Sequence, residues 1–271
     1  MKGKKILFIS SEVVPYMPQT EISTLTFNLP KLVNENGGQT RIFIPKYGNI
    51  NERRHQLHEV IRLSGINLII NDMDMPLIIK VASIPKERMQ VYFIDSEDYF
   101  KGRPGYAKDE NDDIYKDNDE RSIFYCKGVI ETLKKLNWAP DLIHVHGWIA
   151  SLLPLYMRNY YNDDPIFDGT KVIVSLYEDR LKGNLDKNFI KKIKFDDIEE
   201  SNLSILSKSS YENLYKLSVI HSDGLILSPK IKNNFSDLLN GLDIPVLECS
   251  HDSEDYKEKY KNFYNSFLID K

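Results

Sequence analysis

The chain lacks most features that mark specialised protein classes. Two cysteines, Cys126 and Cys249, are all that 271 residues contain. That is too few for a disulfide framework or a cysteine-based zinc cluster, and it fits a pair of buried, reduced thiols. Basic residues do not exceed acidic ones: 36 Lys and Arg against 40 Asp and Glu leave a net charge of −4. General binding to nucleic acid or to anionic membranes needs a basic surplus, so neither is expected as a partner. No apolar stretch approaches the ~20 residues of a membrane span. The opening "MKGKKILFIS" has basic residues, but its apolar run soon meets Ser10-Ser11-Glu12, too early for a signal peptide, and a cytoplasmic location is expected. No G-x-G-x-x-G, Walker A, G-x-S-x-G or H-E-x-x-H pattern occurs, so no nucleotide cofactor or metal is expected.

Short β-branched runs alternate with longer amphipathic stretches, the pattern of parallel strands joined by helical crossovers. Lys5–Ser10 reads as the first strand. A helix follows, with Ile22, Leu25, Leu29, Leu32 and Val33 on one face and Gly37-Gly38 as its stop. "TRIFIP" is the second strand, and the pieces between residues 49 and 98 read as a strand meander extending the sheet. The polar stretch from Ser96 to Asp119 reads as a long surface loop. Within it, "DENDD" lacks the central glycine and final glutamate of a calcium loop and reads as solvated acid. "ERSIFYCKGVIETLKKL" is a helix, "PDLIHVH" a strand, "WIASLLPLYMRNY" a helix, "TKVIVSLYE" a strand, "YENLYKLSVIHS" a helix and "GLILSP" the next strand. The basic run "KNFIKKIKF" reads as a solvated helix face. Tyr256, Tyr260, Phe263, Tyr264 and Phe267 recur at helical spacing near the end.

The expected fold is α/β: a Rossmann-like, mostly parallel sheet with helices on both faces. Residues 1–230 form its domain, and residues 231–271 a tail packed on the same domain through the aromatic helix. In such sheets ligands lie beyond the carboxyl ends of the strands. Attention therefore falls on Ser10–Met17, Pro45–Asn49, His144–Trp148 and Tyr177–Arg180.

In order along the chain stand "KILFISSEVVPY", "LPKLV", "FIPKYGNI", "DN" three residues before Arg121, "WAPDLIHVHGW" and "HSDGLILSP". Together they resemble the N-terminal domain of bacterial glycogen synthases and plant starch synthases, from Lys5 to about Pro229. The resemblance implies half of a two-domain GT-B glycosyltransferase. That family moves glucose from ADP-glucose or UDP-glucose to the non-reducing end of an α-1,4-glucan, with retention and without a metal. Its N-terminal domain mainly holds the glucan acceptor and lends a K-T-G-G-L loop to the donor diphosphate.

Three departures qualify the resemblance. The K-T-G-G-L positions hold Pro18, Gln19, Thr20, Glu21 and Ile22. Proline has neither charge nor N–H, and Glu21 would repel a diphosphate by several kcal/mol at an effective dielectric of about 20. In "HVHGW" the family aspartate is Gly147, and the family His-Asn pair appears as Tyr177-Glu178. The third departure is length: the resemblance implies a second, nucleotide-sugar domain, and the chain is expected to lack it.

The resemblance carries over Lys46, Tyr47, Arg121, His144 and Trp148 as substrate-binding candidates, and His146 and Asp117 as relicts of the catalytic rim. Each has a plainer reading. His146 can be a strand-end histidine bonded to nearby backbone, and Asp117 with Arg121 an N-cap carboxylate and a first-turn ion pair. Lys46 and Tyr47 can be turn chemistry, or a tyrosine stacked on a pyranose. The expectation is a non-catalytic relative in α-glucan metabolism, binding glucan or partnering a full-length synthase. Its alternative is an active transferase half completed by another chain.

Overall fold

The computed structural model describes residues 1–103, 107–178 and 180–268. Its first unit is β1 (Lys5–Ser10), α1 (Glu21–Glu35) and β2 (Gln39–Pro45). Then come α2 (Glu52–His55), β3 (His58–Glu59), β4 (Ile66–Ile70), β5 (Met73–Ile84) and β6 (Met89–Asp95). The second half runs α3 (Asn118–Leu136), β7 (Leu142–His146), α4 (Leu153–Arg158), β8 (Lys171–Leu176), α5 (Phe189–Lys194) and α6 (Tyr211–Ile220). It closes with β9 (Gly224–Leu227), α7 (Ser236–Leu239), β10 (Val246–Glu248) and α8 (Tyr256–Phe267).

The strands make one sheet in the order β10-β9-β8-β7-β1-β2-β6-β5-β3, with β4 paired to β5. From β10 to β6 every pairing is parallel, whereas β5 meets β3, β4 and β6 antiparallel. The expected α/β architecture is therefore present, with the meander as an antiparallel extension on one flank. Ile6, Leu7, Phe8 and Ile9 are all fully buried. A continuous apolar run of that kind belongs to a strand covered on both faces.

Two stretches depart from the sequence reading. "EVIRLSG" contributes only the end of β3, because residues 60–63 turn before β4. The basic run at α5 is not wholly solvated: Lys192 is buried and reaches Asp119 at 2.7 Å and Glu120 at 2.8 Å. Buried carboxylates at the start of α3 need a cation, and α5 supplies it.

The tail helix docks as its aromatic spacing predicts. α8 lies against α1, with Tyr260 and Tyr264 buried. The Tyr264 hydroxyl pairs with Nδ1 of His144 at 2.8 Å. Phe263 and Phe267 close over Gly224 so tightly that a Cβ there would lie 2.5 Å from the Phe267 ring. Among the described residues no helix is long and apolar enough to cross a membrane.

Candidate functional site

β1 delivers Ser10, Ser11 and Glu12 to the carboxyl edge of the sheet, beside the start of α1. An unoccupied helix N-terminus offers free N–H groups to an anion. Here the helix caps itself. Thr20 Oγ1 accepts from the Ser23 N–H at 3.0 Å, and Ser23 Oγ accepts from the Thr20 N–H at 2.7 Å, a reciprocal capping box. Thr20 Oγ1 also donates to Glu12 Oε2 at 2.7 Å.

Glu21, in the first turn of α1, faces a residue far away in sequence. His251 Nδ1 lies 2.9 Å from Glu21 Oε1, and its Nε2 lies 3.0 Å from Asp252. Burial raises the Glu21 pKa, and His251 opposes that shift. His251, between β10 and α8, thus lies against the first turn of α1.

Strand β7 carries two neighbouring imidazoles, His144 and His146, whose ring centroids are 3.8 Å apart and whose planes are tilted by 45°. Both are fully buried. His144 spans Tyr264 and Ser175, the latter at 2.7 Å. His146 pairs through Nδ1 with the Tyr177 hydroxyl, not with backbone as the plainer reading expected. Its Nε2 has no hydrogen-bond partner among the described residues. Desolvation holds the His146 pKa down at about 3 and that of His144 well below its ordinary value. Both rings are neutral at physiological pH.

Gly147 follows with φ +81° and ψ 168°, backbone that is almost exclusive to glycine. A Cβ there would lie 2.3 Å from Ser11 Oγ and 2.9 Å from Ser11 Cβ. The aspartate expected at this position by family resemblance has no room. Glu178 turns outward to Ser228 Oγ at 2.8 Å and Lys230 at 3.3 Å.

The other candidates are more deeply placed than their loop positions suggest. Lys46 is buried and pairs with Glu52 at 3.0 Å. The Tyr47 ring is fully buried, edge-on to Phe100. Arg121 is also fully buried and donates to Asn118 Oδ1 at 2.7 Å; its guanidinium carbon lies 5.2 to 5.9 Å from the rings of Tyr115, Phe100, Tyr47 and Trp148. Burial lowers the Arg121 pKa. Asp117 makes no side-chain cap and pairs with Arg103 at 2.6 Å, so the expected Asp117–Arg121 first-turn pair is replaced by two separate contacts.

A cavity of about 600 Å³ opens over the carboxyl ends of β1, β7 and β8. Thr20 and Trp148 are the predicted residues that line it, together with Ser11, Glu12, Tyr177 and Tyr215. Its size suits a small polar molecule. Sequence reasoning missed Lys182 and His251 at this site. Arg180 and Lys182 bring positive charge to its wall, and His251 brings an imidazole to α1. The strand-end rule had pointed to Arg180. Nothing in the local sequence links position 251 to position 21.

Comparison with known proteins agrees with this fold. Residues 5–240 match the family profile described as the starch synthase catalytic domain. The chain is 32% identical over 233 residues to a glycogen synthase of Chlorobium luteolum, covering 83% of this chain and 48% of the relative. A glycogen synthase of Chlorobium phaeovibrioides is 34% identical over 222 residues, covering 82% of this chain and 45% of the relative. The chain therefore spans about half the length of these relatives. In fold it is similar to the catalytic domain of starch synthase IV from Arabidopsis thaliana bound to ADP and acarbose, with a TM-score of 0.73 at 14% identity; the match covers 94% of this chain and 53% of that one. With its ordered motifs, its sheet and its profile match in agreement, the chain belongs to the starch synthase catalytic domain family.

Proposed function

We propose that this domain is a non-catalytic member of its family that binds α-glucan, alone or beside a full-length synthase. The observation that carries the reading is the self-capped start of α1. Thr20 Oγ1 takes the Ser23 N–H, Ser23 Oγ takes the N–H of the cap residue Thr20, and Glu21 in the first turn pairs with His251. A leaving diphosphate needs preorganised donors and positive charge where its own charge develops. This turn presents a carboxylate instead.

The cavity itself remains suited to saccharide. Trp148 and Tyr177 supply aromatic surface, and Ser11, Glu12 and Thr20 supply hydroxyl and carboxylate groups for sugar hydroxyls. His146, neutral and bonded to Tyr177, stiffens the floor. The rival reading, an active half completed by another chain, requires donor phosphate beside α1.

The test is a pair of measurements on the purified protein. Calorimetric titration with maltotetraose is expected to show saturable binding. Transfer of labelled glucose from ADP-glucose to a glycogen primer is expected to be absent, with or without an added inactive full-length synthase. No heat with maltotetraose would remove the glucan reading, and measurable transfer would remove the non-catalytic one.

A further inference from the structure

The cavity over the strand ends has a neighbour of about 440 Å³, and the two share Arg180, Leu181 and Lys182 as common lining. The second cavity adds Lys208. The linings also hold carboxylates, but those are engaged locally. Asp112 takes Lys108 at 2.8 Å, and Glu212 takes Lys216 at 2.7 Å. Glu12 accepts the Thr20 hydroxyl. Arg180, Lys182 and Lys208 make no ion pair within 4.0 Å among the described residues, although Arg180 and Lys208 lie near enough to Glu212 to help lower its pKa. The Arg180 guanidinium carbon lies 5.3 Å over the Phe235 ring. A guanidinium set over an aromatic face can still pair through its edge donors.

We propose that this ridge binds the phosphate of a sugar phosphate whose hydroxyl-bearing ring lies in the larger cavity toward Ser11, Glu12 and Thr20. The inference rests on the reading of that cavity as a saccharide site. Three cations flanking one segment match a doubly charged oxyanion better than a single carboxylate, and an arginine fork pairs with two phosphate oxygens at once. The opposite end of the cavity carries the Glu12 carboxylate, which suits hydroxyl donors and rejects a second anion. The ligand is therefore polar in one direction: phosphate at the ridge, hydroxyls at β1.

The test uses glucose 1-phosphate, glucose, inorganic phosphate and maltotetraose as separate calorimetric probes of the intact protein. Glucose 1-phosphate is expected to bind more tightly than glucose or phosphate alone. In Arg180→Gln/Lys182→Gln that advantage is expected to fall by about tenfold or more, as one lost charge-assisted contact implies. Lys182 is exposed, so Lys182→Gln alone serves as a variant with an undisturbed fold, and Lys182→Arg is expected to retain binding. Equal affinity for glucose and glucose 1-phosphate would overturn the proposal. So would phosphate binding as tightly as its sugar ester, or an advantage that survives the double substitution. Maltotetraose reports the saccharide reading by itself: its binding is expected to be unchanged by the ridge variants, and its failure beside intact sugar-phosphate binding would count against glucan alone.

Discussion

At the end of β7, two neutral imidazoles are held against a phenol each, His144 by Tyr264 and His146 by Tyr177. Their depressed pKa values make stability depend on pH in a definite direction. Between about 3 and 6.5 the unfolded chain binds a proton at position 146 that the folded chain refuses. The stabilisation is complete above pH 6.5 and is lost as pH falls through that window. Urea denaturation of His146→Gln is expected to show a pH slope between 4 and 6.5 smaller by about one bound proton than that of the parent protein. An unchanged slope would mean that His146 is charged when buried. Gly147 gives a second prediction at this scale. Restoring the family aspartate, Gly147→Asp, meets Ser11 and a glycine-only backbone. It is expected to lower stability by about 1–3 kcal/mol in chemical denaturation and to gain no transferase activity.

Among the elements, α8 is held by a close approach at β9 and by a buried hydrogen bond at β7. Gly224→Ala places a methyl group where the Phe267 ring now lies. The expected result is loosening of α8 with faster amide exchange from Tyr256 to Phe267, while the central strands keep their protection. Tyr264→Phe removes the hydroxyl that His144 meets, and it is expected to cost about 1–3 kcal/mol because a buried imidazole nitrogen loses its partner. On α3, Lys127 lies buried against Asp196, which also accepts the Tyr156 hydroxyl at 2.6 Å. Lys127→Met is expected to cost about 3–5 kcal/mol by leaving a buried carboxylate without its cation. The periodic signals that made these elements legible were strong: the apolar run of β1, the Leu25-Leu29-Val33 face of α1 and the aromatic face of α8. Contacts between distant segments left no such signal. Lys192 reaching Asp119 and Glu120, or His251 reaching Glu21, depends on crossovers that only the sheet order determines.

For the molecule as a whole, the ordered motifs and the sheet agree on the family, while the lining of the site departs from it. Half of the site was readable from residue types. Pro18, Glu21, Gly147 and Tyr177 stand where the family resemblance expects charge, N–H groups, a carboxylate and an imidazole, and the proposal of lost donor and sugar contacts rests on them. The rest needed three dimensions. Burial turned Lys46, Tyr47 and Arg121 inward, and the loop after β8 carried cations to the cavity wall. The central claim is that the start of α1 has been closed to phosphate. Soaking crystals of the protein with ADP-glucose tests it most directly. The account predicts no pyrophosphate beside Thr20 and Glu21, with His251 still on Glu21; a pyrophosphate seated on the first turn of α1, with His251 displaced, would contradict it.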